Sequence, residues 1–353
     1  MRIGVPTEIK IQEGRVALVP EACAQLITQG HEVFVQAGAG RLSGYLDDAY
    51  VKQGVQIVPT AEALYASAPL IVKVKEPQPA ELPYLTPEHR LFSYLHLAAE
   101  PALLASLLKI GLTAIAFETV SDGHGLPLLA PMSDIAGRLA VHIGTTLLHH
   151  HHGGRGLLLG GIPAAERGRV VILGAGTAGG NACAVAQALG AEVTIFDPNR
   201  TKQAQMRALG PNVTALHPYP AAIDEHIRLA DLLIGAVLIP GAKAPHLVSE
   251  QQVRALQPGS VIVDIAVDQG GCIATTRPTS YAEPTYIWSD IVHFAVTNMP
   301  GAVPRTASQA LSAVLVPYIL RLTQVDWETD EELGRGVNVR AGQIILPALK
   351  NSG

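Results

Sequence analysis

Apolar positions in this chain follow two alternating periods. Short β-branched runs occupy residues 3–5, 31–36, 55–58, 70–75, 91–95 and 113–117, and segments of helical period such as 20–29 and 101–110 lie between most of them. A second series of runs, at 169–173, 192–196, 212–216, 231–237 and 260–267, is interrupted by helical stretches such as 181–189 and 250–256. Strand alternating with helix calls for a largely parallel sheet covered on both faces. Two such series predict an α/β chain of two Rossmann-like, doubly wound domains with mainly parallel sheets. Residues 132–149 have helical period and the length to bridge them. Residues 306–322 form a second long apolar helix after the second sheet is complete, and its simplest packing is back on the first domain. That domain is then discontinuous, residues 1–130 plus 305–353, around an inserted domain of residues 131–304.

The run 170–173 leads straight into Gly174-Ala175-Gly176-Thr177-Ala178-Gly179, with a helix expected from Gly180-Asn181. A lone GxGxxG is weak, but here it sits where its mechanism needs it. Gly174 permits the tight turn, Gly176 lets the backbone approach a pyrophosphate, and Gly179 allows close helix–strand packing. The exposed N–H groups at a helix start favour phosphate. The next strand ends at Asp197, eighteen residues after Gly179. A carboxylate there accepts hydrogen bonds from both ribose hydroxyls and repels a 2′-phosphate, which favours NAD over NADP. Arg200 and Lys202 nearby leave NADP open, and the motif alone leaves FAD open. The bland alternative is a glycine-rich turn beside a surface Asp.

The 353 residues are 48% hydrophobic and 16% charged, a globular composition with ample material for two cores. A net charge of -5 gives no basic footprint for nucleic acid. The N-terminus lacks a secretory apolar core. The best candidate membrane span, between Arg305 and Arg321, is too short and contains Pro317. Cys23, Cys183 and Cys272 are odd in number, widely spaced and without a CxxC motif, which fits a reducing cytosol rather than a disulfide framework.

Ligands of open α/β sheets bind beyond the carboxyl ends of the strands, and several polar residues are expected there. Lys75 ends the run 70–75, His96 follows 91–95, and Glu118 follows 113–117. Asp268 follows 260–267 and precedes Gln269-Gly270-Gly271, while Arg15 lies in the loop Glu13-Gly14-Arg15 after the first strand. Each has an ordinary alternative: a loop Lys or Arg is usually solvated, a lone His after a strand is more often structural, and Asp268 could simply cap the glycine-rich turn. Their convergence beside a dinucleotide motif raises the functional reading. Arg offers a carboxylate a bidentate partner, Lys pairs with its other oxygen or a carbonyl, and His and Asp move protons near neutral pH.

These residues fall within stretches that closely resemble the alanine dehydrogenase family, which also takes in transhydrogenase nucleotide-binding subunits, over nearly the whole chain. The matching stretches include Ile3-Gly4-Val5-Pro6-Thr7-Glu8, Arg15-Val16-Ala17, Val72-Lys73-Val74-Lys75-Glu76-Pro77 and Tyr94-Leu95-His96-Leu97-Ala98-Ala99. They continue through Ala130-Pro131-Met132-Ser133, Ala136-Gly137-Arg138 and Asn298-Met299-Pro300-Gly301-Ala302-Val303-Pro304. The resemblance implies two Rossmann-like domains joined by long helices across a cleft, and reversible NAD-dependent oxidative deamination of L-alanine to pyruvate and ammonia. It implies that Arg15 and Lys75 hold the substrate carboxylate and carbonyl, and that His96 and Asp268 handle protons. It implies cofactor contacts from Ser133, Gly174, Gly176, Ala178, Gly179, Asp197, Lys202, Val237, Leu238, Val267, Asp268, Asn298 and Met299. Glu118 is retained with the weakest role.

The same resemblance implies a homo-oligomer, a hexamer, and a reaction that needs no metal; the cysteines, charge and apolar runs point to a cytoplasmic protein with no membrane or nucleic-acid partner. Two rival readings are a transhydrogenase-type NAD(H)-binding subunit and a catalytically silent NAD-binding protein. Gly14 stands where a Phe is common, which could loosen the Arg15 loop. Pro220 stands where the family often has a Ser near the adenine. The run His149-His150-His151-His152 reads as a polar helix end suited to the dipole, with metal capture as the alternative.

Overall fold

The computed structural model describes residues 1–237 and 246–350, the side chains of Asp268 and Gln269 excepted. The chain forms two compact units, Met1–Met132 with Gly301–Gly353, and Ser133–Pro300. Its strands in chain order are β1 (Arg2–Val5), β2 (Glu32–Gln36), β3 (Gln56–Val58), β4 (Leu70–Val72), β5 (Arg90–Ser93) and β6 (Thr113–Ala116). Then come β7 (Arg169–Leu173), β8 (Glu192–Phe196), β9 (Val213–Leu216), β10 (Leu232–Gly235), β11 (Val261–Asp264), β12 (Thr285–Trp288) and β13 (Ile291–Phe294). The last two are β14 (Val337–Arg340) and β15 (Gln343–Ile344).

In the first unit the sheet order is β15-β14-β6-β5-β4-β1-β2-β3. β1 through β6 pair in parallel, while β14 closes the β6 edge antiparallel, Val337 opposite Ile115. Helix Pro20–Thr28 opens with its proline in the first turn, where a missing N–H costs nothing. Helix Pro101–Ile110 stops at Gly111, whose φ of 82° a side chain would resist. Leu64, Ile71, Leu91, Leu107 and Ala114 are fully buried in the core on one face of this sheet. Helix Pro304–Leu322 also belongs to this unit and buries Leu311, Leu315 and Ile319.

The second unit has the order β12-β13-β11-β10-β7-β8-β9, parallel except for β12. The chain leaves β7 toward β8 and β9 on one side and returns through β10, β11 and β13 on the other. Strand order therefore reverses between β7 and β10, the position at which such sheets take a ligand. Among the described residues no helix is long and apolar enough to cross a membrane.

Several element boundaries differ from the sequence expectation. The runs at 70–75, 91–95 and 113–117 end as strands at Val72, Ser93 and Ala116. Lys73 N–H and Tyr94 N–H still donate across to Phe92 and Val74 carbonyls, but the next N–H groups turn to side-chain carboxylates. Extended, apolar chain continues there after pairing stops, and hydropathy does not see the change. The run at 260–267 ends at Asp264, which caps the 3-10 turn Ile265–Gln269 with its own side chain. The helix expected from Gly180-Asn181 starts at Thr177, capped by Gly176. The histidine run lies beyond helix Ala130–Leu147, in the 3-10 turn His150–His152, and not on the helix's last turn.

Candidate active site

In the first unit, strand order reverses between β1 and β4, and the loops after these strands carry the first group of charged residues. Glu8, three residues past β1, reaches the segment after β4. Its carboxylate accepts the Val74 N–H at 2.5 Å, with the Lys75 N–H 3.4 Å from both of its oxygens. Lys73 Nζ lies 3.2 Å from Glu8 and 3.1 Å from Glu81, and the lysine side chain is fully buried. Tyr65 Oη donates to the other Glu81 oxygen at 2.9 Å. Burial works against the Lys73 ammonium, but two facing carboxylates hold its pKa above the ordinary value. Burial pushes Glu8 up, opposed by Lys73. One cation is thus shared by two buried carboxylates beside the backbone of Lys75, which itself stays half-buried.

Arg15 is buried rather than solvated. Glu13 takes its Nε at 2.7 Å, its Nη2 at 2.6 Å and its backbone N–H at 3.0 Å, while Nη1 faces Met132 Sδ at 3.2 Å. Burial alone would lower the guanidinium pKa; Glu13 outweighs it and the net direction is up. The loop does not hang loose at Gly14. A Cβ there would lie 3.2 Å from Leu42 and 3.4 Å from Pro304, and the Val16 N–H donates to Ser308 Oγ of helix Pro304–Leu322 at 2.9 Å.

His96 follows β5 in a left-handed conformation, φ 49°. Its N–H donates to Glu118 at 2.6 Å, and the Leu95 N–H donates to the same carboxylate at 3.1 Å. Tyr94 ties these groups together. Its ring centroid is 6.0 Å from that of His96, its hydroxyl donates to the Leu128 carbonyl at 2.6 Å, and Arg15 acts electrostatically on it. Burial pushes the Tyr94 phenol up. Arg15 thus lies within electrostatic reach of Glu8 and Tyr94, the Lys75 backbone N–H lies against Glu8, and the His96 ring lies beside Tyr94.

In the second unit the glycines behave as phosphate-loop chemistry requires. Gly174 has φ 96°, and a Cβ on it would come within 2.8 Å of the Ala236 carbonyl, just past β10. A Cβ on Gly179 would run into the Gly174 carbonyl oxygen. Beside Gly176, by contrast, nothing among the described residues lies within 4 Å of the Cβ position, at the N-terminus of helix Thr177–Ala188. Asp197, at the end of β8, is 7% exposed; it accepts the Ala175 N–H at 2.8 Å and the Asn199 N–H at 2.8 Å. Lys202 Nζ stands 4.0 Å from it. A helix N-terminus beginning at Gly176, a clear approach there among the described residues and a carboxylate held at the next strand end together fit the diphosphate and ribose of a dinucleotide.

The remaining expected contacts are distributed around this turn. Ser133 is half-buried in the first turn of helix Ala130–Leu147. That helix is held against the glycine turn: a Cβ at Gly137 would run into the Ala178 carbonyl, and Asn181 donates to Asp134 at 2.7 Å. Val237 is half-buried just past β10, Val267 is buried in the turn after β11, and Met299 is buried with its carbonyl accepting from Tyr281 Oη. Asn298 is half-buried at φ 64°. Leu238 lies outside the described residues. The backbone of Asp268 lies in the turn Ile265–Gln269, and its side chain lies outside what the structure describes. Asp264 stitches that turn at both ends, accepting from Ala266 N–H at 3.0 Å and Cys272 N–H at 3.0 Å. Pro220 opens helix Pro220–Leu229 in its first turn.

The sequence reading passed over Glu8, Glu13, Glu81, Gly137 and Asp264. A signal existed for two of them, Glu8 and Asp264: an acid within a few residues of a strand end, beside a strand whose own end carries a candidate group.

The chain matches two family models, alanine dehydrogenase/PNT N-terminal domain over residues 4–136 and alanine dehydrogenase/PNT C-terminal domain over residues 140–347. It is 50% identical to the alanine dehydrogenase of Bacillus subtilis strain 168 over 355 residues, covering 99% of this chain and 94% of that protein. It is 45% identical to the alanine dehydrogenase of Mycobacterium tuberculosis H37Rv over 351 residues, 98% of this chain and 95% of that one. Among solved structures it resembles an L-alanine dehydrogenase with a TM-score of 0.96 at 48% identity, covering 100% of this chain and 99% of the other. It also resembles a transhydrogenase from Sinorhizobium meliloti, with a TM-score of 0.85 at 25% identity over 99% and 100% of the two chains.

Proposed function

The chain belongs to the alanine dehydrogenase/PNT family, and from that premise we propose that it is an NAD-dependent L-alanine dehydrogenase. The observation that carries this reading is the 50% identity to an alanine dehydrogenase along 99% of the chain, supported by Arg15 and the Lys75 backbone meeting at Glu8 and the His96 ring lying beside Tyr94. The first unit is assigned the substrate, and the second the nucleotide.

In the oxidative direction L-alanine, water and NAD+ become pyruvate, ammonium, NADH and one proton. NAD, when bound, supplies the hydride acceptor for the alanine Cα. The residues assigned to it are Gly174, Gly176, Ala178, Gly179, Asp197 and Lys202, with Ser133, Val237, Leu238, Val267, Asp268, Asn298 and Met299. Arg15, clamped by Glu13, holds the substrate carboxylate. Lys75 pairs with the carbonyl oxygen of pyruvate and offsets negative charge as it develops. Once Cα has lost hydride, its imine must gain water and then lose ammonia. His96 takes the proton of the attacking water and returns it to the departing nitrogen, a task an imidazole performs at neutral pH. Asp268 shares that proton transfer. Fixing both reacting partners supplies much of the acceleration.

The reading extends to a homo-hexamer in the cytoplasm. Cys23, Cys183 and Cys272 are buried and unbridged, which suits a reducing compartment, and light scattering measures the assembly's mass. The deciding assay is NADH formation from NAD and L-alanine by the isolated protein, with NADP as the second cofactor. Turnover with NAD is expected; tight NAD binding without alanine turnover sinks the proposal and leaves a transhydrogenase-type subunit or a silent NAD-binding protein. His96→Ala is expected to lose at least about a hundredfold in turnover.

A further inference from the structure

The three side chains assigned to substrate share one local device. A glutamate accepts the backbone N–H of Arg15 at 3.0 Å, another that of His96 at 2.6 Å, and a third lies 3.4 Å from that of Lys75. The Glu118 case differs because the residue it holds is strained. His96 sits at φ 49°, a conformation that non-glycine residues adopt only under constraint. Without an acceptor on this side, the Leu95 and His96 N–H groups would both point past the end of β5 with no strand to receive them.

Glu118 is itself aimed from both flanks. It lies in the 3-10 turn Phe117–Thr119, directly after β6, which pairs in parallel with β5 from Arg90↔Thr113 to Ser93↔Ala116. Phe117 is fully buried, edge-on to Phe92 at 4.5 Å and to Tyr94 at 5.0 Å. Thr119 Oγ1 receives Asn338 Nδ2 at 2.8 Å and donates to the Gly336 carbonyl at 3.2 Å. With its neighbours fixed on two sides, the Glu118 carboxylate has little freedom to follow a His96 that relaxes.

We infer that Glu118 is a positioning residue that fixes the His96 imidazole by holding its left-handed backbone turn, and that it does not itself meet the substrate. This rests on His96 being the proton-transfer group. An error of about an ångström in such a group costs roughly a hundredfold in rate. Glutamine retains one oxygen acceptor, and a single oxygen, Oε1, already receives both the Leu95 and the His96 N–H groups.

The test is a set of steady-state and NADH-binding measurements on Glu118→Ala, Glu118→Gln, His96→Ala and the His96→Ala/Glu118→Ala double variant. Glu118→Ala is expected to lose roughly a hundredfold in kcat, with KM for pyruvate and Kd for NADH little changed. Glu118→Gln is expected to recover most of that loss. The double variant is expected to be no slower than His96→Ala alone. A parent-like kcat in Glu118→Ala, or an equal further loss in the His96→Ala background, overturns the inference while leaving His96 in the mechanism. A parent-like kcat in His96→Ala removes His96 itself, and the inference with it. If Glu118→Ala does not fold, Glu118→Asp asks the same question: it keeps the charge but is one methylene short of the turn. It is expected to lose kcat with little change in KM, and a parent-like kcat overturns the inference.

Discussion

The Lys73 ammonium lies 3.1 Å from the Glu81 carboxylate, and neither side chain is more than 3% exposed. With Glu8 at 3.2 Å on the other side, a single cation neutralises part of a doubly acidic pocket. Removing one partner of such a buried set leaves charge without compensation, which costs about 3–5 kcal/mol.

Lys73→Met should therefore unfold at lower denaturant than the parent, and the deficit should depend on pH. The Glu8 pKa is already raised by burial in the parent, with Lys73 opposing. Losing Lys73 raises it further. A carboxylate whose folded pKa exceeds its unfolded value contributes stability below the unfolded value of 4.5 that is lost as pH rises through the folded one. The gap between variant and parent should stay constant up to the parent's own raised Glu8 pKa and widen above it, where only the parent's carboxylate ionises, measured by urea unfolding at several pH values. A pH-independent gap would show that Glu8 does not titrate with this pair.

Gly176 and Gly137 separate ligand space from packing space. Gly176→Ala adds a methyl where none of the described residues lies within 4 Å, so stability should stay within about 0.5 kcal/mol of the parent. NADH affinity should nevertheless fall by at least about tenfold, or about 1.4 kcal/mol, because that space is assigned to diphosphate. Gly137→Ala meets the Ala178 carbonyl instead. It should lose about 1–3 kcal/mol of stability as well as affinity. Thermal unfolding beside fluorescence titration with NADH measures both quantities, and unchanged affinity in Gly176→Ala would count against the assignment.

Asp264→Asn should destabilise by about 1–3 kcal/mol. Both carboxylate oxygens accept, one from Ala266 and the other from Cys272 and Ile273, so an amide necessarily turns an NH2 group toward an N–H donor. The turn that carries Val267 and Asp268 is closed by these bonds. Urea unfolding and NADH titration of the variant measure the damage, and a parent-like protein in both would remove Asp264 from this role.

Strong local signals made much of this legible. β7, the glycine turn and β8 followed from β-branched runs and the GxGxxG spacing because there the local pattern and the tertiary pairing end at the same residues. They do not coincide at Lys75, His96 and Asp268. Apolar character persists past Val72, Ser93 and Asp264, while backbone pairing gives way to N–H groups that donate to Glu8, Glu118 and Asp264. Those acids act across sixty-odd residues for Glu8 and twenty-odd for Glu118, and no window along the chain spans such a contact. The antiparallel strands β12 and β14 were likewise illegible, since the direction of each is set only by its partner.

The first unit is assembled from both ends of the polypeptide, and this sets a schedule for its synthesis. The Val16 N–H finds its acceptor, Ser308, only 292 residues later, and the β6 edge waits for β14. A ribosome therefore releases the whole second unit before the first can be finished. Until then a nascent chain carries an open sheet edge and an unanchored Arg15 loop, the kind of surface that recruits chaperones or neighbouring chains.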